Sequence, residues 1–503
     1  MAQQPSELRS GSPLIEFASE RNRAWLFPVV LAVLVALLIL AWGIFFNWGN
    51  FSINFEDWAV VWATRLEAWR LALQDNTLPF HLSDIGAMRS SGDRYFTVGD
   101  MVFTPQVILL KWMSVQMYTL VNQILLALVG TWFLVRFRNK YRLSVAAFTF
   151  MFLLFHFNGF IVTHMSEGHL SWGGYYLFPA FIFYLTEIRD GKVGWKTAGA
   201  IAWIMMFMMG QGSLHHYVWC LLALGFLTII DWKHAPGYIK AIGFSVLLGL
   251  FRLIPSFYFE FGRITTGLEL LGGYPSVGEF VKSLLYNVGP KLAMPGQLFR
   301  ESELGYWEFS LFIGKIAFVA IGLLIVVQLL VALRDRSIPY LLLTAAFLTV
   351  LSIDDMFFKV FFYQPMIVGT ERVISRFAGL ALVIVIMISS IQLQRIFDRL
   401  VGARIWLVSL LSPVVLGGIG FELWRHMQQW SVVQAAKDFP YLWRDLSRIK
   451  ITNHSDPIYF QVLAVSAGIS LAAAIVLFIL QRRSGGSATA LQSGSDPAPA
   501  QPQ

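Results

Sequence analysis

The sequence has little charge and almost no cysteine. Only 14% of its 503 residues are Asp, Glu, Lys or Arg, and Cys220 is the one cysteine, which excludes an intrachain disulfide. The sequence also lacks a Walker A motif, a G-x-G-x-x-G turn between strand and helix, and a CxxC pair. These absences argue against nucleotide-driven pumping within the chain, dinucleotide chemistry and thiol redox chemistry.

What the sequence has in excess is apolar residues. They make up 56% of the chain, and the mean hydropathy of +0.62 is too high for a soluble domain of this length. A span needs roughly 20 apolar residues to cross about 30 Å of hydrocarbon. The apolar runs predict an all-α, polytopic integral membrane protein of about twelve transmembrane helices. We place the spans at residues 24–46, 106–135, 143–163, 173–188, 197–213, 216–231, 239–259, 311–333, 338–353, 374–394, 404–422 and 459–480.

The chain divides into three parts by composition. We predict a cytoplasmic N-terminal segment over 1–23, a transmembrane domain over 24–483, and a disordered tail over 484–503 that is rich in Ser, Gly, Ala, Pro and Gln. The first apolar run is too long for a signal-peptide core, so we interpret it as an uncleaved span.

The distribution of basic residues predicts the orientation in the membrane. Lys and Arg collect in short loops such as 136–142, 189–196 and 334–336, and such loops face the cytoplasm. Both termini then lie in the cytoplasm of a multi-pass inner (plasma) membrane protein. The long polar loops all fall on the opposite, external side, at 47–104, 260–310, 354–373 and 423–458.

The first external loop carries the leading candidate for chemistry. Glu56 and Asp57 lie at the start of an amphipathic stretch, 57–73, that predicts a helix along the membrane interface with its tryptophans at headgroup depth. A carboxylate there can act as a general base or hold a divalent ion; an N-cap with a first-turn acid is the alternative. Asp100 is the second candidate acid, whereas Asp84 and Asp93 fit ordinary turns.

Histidines gather in two predicted external turns. His164, Glu167 and His169 form an H-x-x-E-x-H cluster that suits phosphate contact or acid–base work better than a standard zinc motif; a solvated turn is the alternative. His215 and His216 follow Gly210 and Gly212 on the same side. They suit a water-filled or ligand-filled cavity, or they cap the next helix.

Two arginines one helical turn apart, Arg372 and Arg376, begin a span on the external side. Two guanidinium groups in this arrangement suit a phosphate or pyrophosphate. Snorkelling, or pairing with Glu371, is the alternative interpretation.

In four stretches the chain resembles the GT-C superfamily of membrane glycosyltransferases, and more closely its bacterial branch of YfhO-like membrane proteins. The stretches are the acidic first loop with Leu78-Pro79-Phe80-His81 and 103–106, Asn158-Gly159-Phe160 with Gly168-His169, the segment 307–314, and 371–377. The resemblance implies a polytopic helical enzyme that takes a sugar from a polyprenyl phosphate on the non-cytoplasmic face. It assigns the catalytic acid of the first loop to Asp57, with Glu56 beside it. The loop lacks an Asp-Asp or Asp-x-Asp pair, so the use of a divalent metal ion as cofactor stays open.

Three functions compete on these grounds. The first is a glycosyltransferase with a lipid-linked sugar donor and a glycan, lipid or protein acceptor of the cell envelope. The second is a secondary transporter or flippase for a lipid-linked or anionic solute, although the centres of the apolar runs carry almost no charge. The third is a non-catalytic membrane scaffold with a GT-C-like fold that binds partner membrane proteins. Nucleic acid is not an expected partner.

Overall fold

The computed structural model of the chain describes residues 17–18, 25–84, 86, 92–264, 271–293, 304–335, 337–354, 371, 373–400 and 403–492. Over these ranges the protein is helical, and isolated bridges take the place of β-strands. The α-helices are α1 (Leu26–Phe45), α2 (Ala63–Gln74), α3 (Val115–Tyr141), α4 (Val145–Phe157), α5 (Gly159–Glu167), α6 (Phe178–Arg189), α7 (Trp195–Gly210), α8 (Leu214–Ile230), α9 (Ala235–Ile264), α10 (Val277–Leu285), α11 (Lys315–Arg334), α12 (Tyr340–Leu351), α13 (Phe377–Asp398), α14 (Ala403–Gln429), α15 (Val432–Asp438) and α16 (Pro457–Gln492).

Each predicted span overlaps a helix, but the count of twelve is not confirmed. Among the described residues, eight helical segments are long and apolar enough to cross a membrane. They are α1, α3, α4 with α5, α9, α11, α13, α14 and α16. The other four are shorter: α6 and α12 have 12 residues each, α7 has 16 and α8 has 17. At about 1.5 Å per residue, a 12-residue helix covers only about 18 Å. The sequence pattern detected apolar helices without fixing which of them reach across.

The buried centre of the bundle is α4 with α5. This segment is enclosed over nearly its whole length, with α1, α3, α13 and α14 packed against α4. A second group forms where α9 packs on α7 and α16. The final helix continues to Gln492, past the predicted start of the disordered tail at 484, and no proline interrupts the sequence between Pro457 and Pro497.

A single asparagine separates α4 from α5. Asn158 has an extended backbone, and its side-chain amide donates to the carbonyl oxygens of Leu154 (2.7 Å) and Phe155 (3.1 Å) while its Oδ1 accepts from the N–H of Ile161 (3.4 Å). One side chain therefore satisfies the end of α4 and the beginning of α5. At the next residue, the N–H of Gly159 donates to the carbonyl of Phe312 (2.7 Å). This contact docks the segment before α11 onto α5.

The helix predicted in the first loop is present, but its tryptophans are buried in protein and do not form an exposed face. Trp58 and Trp62, in a π-helical turn ahead of α2, and Trp69 within α2 are buried. The indole N–H of Trp58 donates to the carbonyl of Ser166 (2.9 Å), and that of Trp69 donates to the carbonyl of Val102 (3.0 Å). An amphipathic pattern identifies an apolar face without saying what covers it. Here protein covers it, and α2 is a folded part of the loop.

A buried ion pair supports the same loop. The guanidinium of Arg65 on α2 lies 2.8 Å from the Asp100 carboxylate, and the side chain of Arg65 is almost fully buried. Replacing one partner leaves the other charge buried and uncompensated. The pair gives Asp100 a structural role in supporting the loop, while its role as second candidate acid stays a prediction.

We predict that Asp100→Ala destabilises the protein by about 3–5 kcal/mol, the usual cost of breaking a buried ion pair from one side. The measurement is the thermal unfolding midpoint of the detergent-solubilised protein. Asp75→Ala, at an exposed acid just after α2, is the matched control and should leave the midpoint unchanged. Equal midpoints for the two variants would contradict a structural role for Asp100.

Candidate active site

The candidate site is built around a contact between the first loop and the turn after α5. The Oδ2 atom of Asp57 lies 3.0 Å from the Nε2 atom of His169, and the Asp57 side chain is 30% exposed. Gly168, at φ +94°, ends α5 between them. A Cβ atom there would lie 2.8 Å from the backbone nitrogen of Trp58. Glycine is needed for both the left-handed backbone and the close approach of the loop.

Besides Asp57, His169 also contacts a second imidazole, that of His164. Its Nδ1 atom lies 2.8 Å from the Nδ1 atom of His164, and the Nε2 atom of His164 lies 3.9 Å from Oε2 of Glu308. An ionised Asp57 requires a proton on Nε2 of His169. If His169 is neutral, its Nδ1 then accepts from the Nδ1–H of His164. The chain of groups thus runs from the partly exposed Asp57 to the fully buried His164.

Glu308 is held by an arginine of the site, Arg376. The Nε and Nη2 atoms of Arg376 donate to the two oxygens of Glu308 at 2.7 and 2.5 Å. The hydroxyl of Ser375 donates to the Glu308 carbonyl (2.7 Å). Burial alone would raise the pKa of Glu308, but the Arg376 guanidinium outweighs it, and the pKa lies below its ordinary value. Glu308 is therefore an ionised, fixed carboxylate.

A second imidazole–carboxylate pair joins His215 of α8 to Glu371, which precedes α13. The Nδ1 atom of His215 lies 3.0 Å from Oε1 of Glu371, whose other oxygen accepts from the indole N–H of Trp219 (3.2 Å). His216 is buried, and neither of its ring nitrogens has a hydrogen-bond partner in the described structure. The pair with Glu371 accounts for His215 better than capping of α8 does.

Trp172 connects these groups. Its ring stacks on His164 with centroids 4.3 Å apart, meets His216 edge to face at 4.5 Å, and lies parallel to His215 at 6.0 Å. The guanidinium of Arg376 lies over the same ring, 5.1 Å from its centroid. One indole thus fixes the spacing of three imidazoles and a cation.

Two further acids complete the cluster. Glu56 adopts φ +38°, a left-handed conformation that is uncommon for a residue with a side chain. Burial, and then the charge of Asp57, raise the pKa of Glu56. Glu167 is buried at the end of α5, and its Oε1 atom lacks a hydrogen-bond partner among the described residues. Backbone strain and an unsatisfied buried carboxyl are features that cluster at functional sites.

The structure brings together most of the residues that the sequence singles out. They are Glu56, Asp57, His164, Glu167, His169, His215, His216 and Arg376. Asp100 pairs with Arg65 instead, and Arg372 lies outside the described residues. His164 and Glu167 are buried at the end of a helix, which rules out the solvated turn considered as an alternative.

The sequence pattern predicts no role for Glu308, Trp172 and Trp219, and for Glu371 it predicts only pairing with the neighbouring arginines. Glu308 lies in the segment 307–314 that carries the resemblance. The position of Glu308 directly before an apolar run was the signal in the sequence that could have identified it. The sequence does not show that Arg376 is the partner of Glu308, because the two residues are 68 positions apart.

The donor set fits a resident metal poorly. His164, His169 and Glu308 offer atoms that lie within 4.8 Å of one another. However, the two imidazoles already contact each other through Nδ1, and both oxygens of Glu308 accept from Arg376. A metal would have to displace these bonds, so we derive no step through one.

Comparison with known proteins yielded no relative: no family model, no curated protein and no solved structure matches the chain.

We predict that Glu56→Gln stabilises the protein at neutral pH. Because the pKa of Glu56 is raised on folding, the folded protein binds this proton more tightly than the unfolded chain. The penalty for ionisation is absent below the ordinary value of 4.5, grows as pH rises toward the folded pKa, and is constant above it. The thermal unfolding midpoint of Glu56→Gln should therefore exceed that of the wild type at pH 7, and the gap should close in acid. Asp75→Asn is the control, and a lower midpoint for Glu56→Gln at pH 7 would show that the charge of Glu56 is needed for folding.

Proposed function

We propose that the protein is an inner-membrane glycosyltransferase that moves a sugar from a polyprenyl-phosphate donor to an envelope acceptor on the periplasmic, external face. The observation that carries the proposal is the assembly of Asp57, His169, His164 and the Glu308–Arg376 pair from segments far apart in the chain. Asp57 comes from the first of the long polar loops, which we place outside the membrane with both termini in the cytoplasm.

The substrate chemistry suits such a cluster. A sugar on a membrane-bound phosphate presents its anomeric carbon at the interface, so an enzyme needs a base for the acceptor hydroxyl and a cation near the phosphate. Asp57 is the partly exposed carboxylate of the cluster. We assign it the role of base, with His169 holding its orientation.

The proposed transfer is a single displacement. The acceptor oxygen attacks the anomeric carbon while the bond from that carbon to the phosphate oxygen breaks, and its electron pair leaves with the phosphate. The hydroxyl proton passes to Asp57. The His169–His164 pair then stabilises the protonated carboxyl through its hydrogen bonds.

The sequence predicts that Arg372 and Arg376 bind the phosphate, but Arg376 already has other partners. Arg376 is committed to both oxygens of Glu308 and to the Trp172 ring. His215, which is 23% exposed and held by Glu371, is a better-placed group to donate a hydrogen bond to a phosphate. We assign it that role, with Arg372 as the candidate from the sequence alone.

We predict that Asp57→Asn lowers the rate of sugar transfer by about 10²–10⁴-fold, the usual contribution of a general base. Asparagine keeps the size of the side chain and an acceptor oxygen for His169, but it does not take up the acceptor proton. The assay follows radiolabel from polyprenyl-phosphate glucose and polyprenyl-phosphate mannose into extracted glycan, lipid and protein in membranes that contain the protein. Asp75→Asn should retain the full rate.

The same membranes, together with purification of the protein from them, distinguish the three competing functions. Full transfer by Asp57→Asn would remove Asp57 from the mechanism. Movement of the labelled donor across the bilayer without a covalent product would favour the transporter or flippase. Inactive wild-type protein that co-purifies stably with other membrane proteins, regardless of Asp57, would favour the scaffold.

A further inference from the structure

A second cluster of metal-ligating side chains lies where the first loop meets the segment before α16. The backbone brings three stretches together there: the N–H of Leu82 donates to the carbonyl of Asp93 (3.0 Å), and the N–H of Thr452 donates to the carbonyl of His81 (3.0 Å). The N–H of His81 in turn donates to Oδ1 of Asn453 (3.0 Å). The positions of the side chains are therefore set by a hydrogen-bonded scaffold.

His81, Asp93 and His454 converge on this scaffold. Each offers one ligand atom, and these atoms lie within 4.8 Å of one another. The two imidazole rings have centroids 3.9 Å apart. Nδ1 of His454 lies 3.0 Å from the carbonyl oxygen of Thr452 and 3.7 Å from Oδ2 of Asp93, so this nitrogen donates to the carbonyl. The other ring nitrogen of His454 is left to bind a ligand, and an imidazole that binds a metal commonly donates its second N–H to such a carbonyl.

His81 supplies the independent reason to expect a ligand. Its side chain is fully buried, yet neither ring nitrogen has a hydrogen-bond partner in the described structure. Leaving a buried polar group unsatisfied is costly. His164 and His169 differ from His81 in this respect, because one nitrogen of each of these two rings contacts the other ring.

The nearby Asp456 is already compensated. One of its oxygens accepts from Nε of Arg94 (2.7 Å) and lies 3.6 Å from Nε2 of His81, and the other accepts from the N–H of Tyr459 (3.2 Å). Asp456 thus orients the neighbourhood, and Asp93 supplies the negative charge that a divalent ion needs.

We propose that His81, Asp93 and His454 form a zinc site that fastens the first loop to the segment before α16. Two imidazoles and one carboxylate favour zinc over calcium or magnesium, which prefer oxygen ligands. A water molecule completes the tetrahedron. The same segment also holds the loop near the catalytic candidate, because the N–H of Leu442 donates to the carbonyl of Asn54 (2.8 Å). The zinc ion stabilises the loop without entering the cluster around Asp57.

The test measures zinc in the full-length, detergent-purified protein, prepared with an affinity tag that lacks histidine. After incubation with zinc and desalting, elemental analysis should find about one zinc per wild-type chain, as a single site with three protein ligands and one water requires. His454→Ala and Asp93→Ala should both lose it. His454 is half exposed, so its variant should fold, which the unfolding midpoint in chelator verifies.

Two controls exclude other binding sites. His234→Ala removes a histidine that pairs with Asp231 elsewhere, and His169→Ala opens the cluster around Asp57. Both should keep the zinc, and zinc should raise the unfolding midpoint of both but not of His454→Ala. Zinc retained by His454→Ala, or lost only from His169→Ala, would overturn the proposal. So would a wild-type protein that binds no zinc. None of these outcomes depends on whether the protein transfers sugar.

Discussion

The whole candidate site depends on how closely the first loop approaches the end of α5. That approach is possible because residue 168 has no side chain and takes a left-handed backbone. Trp58 then fills the space and donates to the carbonyl of Ser166. Since Asp57 immediately precedes Trp58, the contact that buries the indole also sets Asp57 beside His169. The packing of Trp58 therefore determines the position of the candidate base, Asp57, next to it in the chain.

The environments of the acids divide them into different roles. Glu308 has a guanidinium on both oxygens, which holds its pKa low, whereas Glu56 has burial and a neighbouring carboxylate, which raise its pKa. Asp57 differs from both, because it lies next to an imidazole and is partly open to solvent. A general base must reach the proton that it takes from the acceptor. This exposure is the physical reason for choosing Asp57 as the base.

The sequence identified the apolar helices and most of the site residues, but not which of these side chains pair with each other. Apolar runs marked the twelve predicted spans, each of which overlaps a helix, because a buried or lipid-facing helix is hydrophobic along its whole length. They did not mark the short helices α10 and α15. They did not locate the break at Asn158, which comes from one side chain bonding both helix ends. The histidines and Asp57 were found because ionisable groups are rare in an apolar chain. The pairs Arg376–Glu308 and His215–Glu371 were not, since each joins segments far apart in sequence.

Several contacts hold the first loop in place around the carboxylate of Asp57. Arg65 pairs with Asp100, Leu442 bonds Asn54, and the His81 region joins the strand-like contacts near Ile451. A catalytic group must be held within about 0.5 Å of its working position, and a loop of this length would lose that precision if only its ends were fixed. Because these contacts anchor the loop on both sides of Asp57, the strained backbone of Glu56 can persist. Rigidity of the loop is therefore a requirement of the proposed chemistry and not merely a by-product of folding.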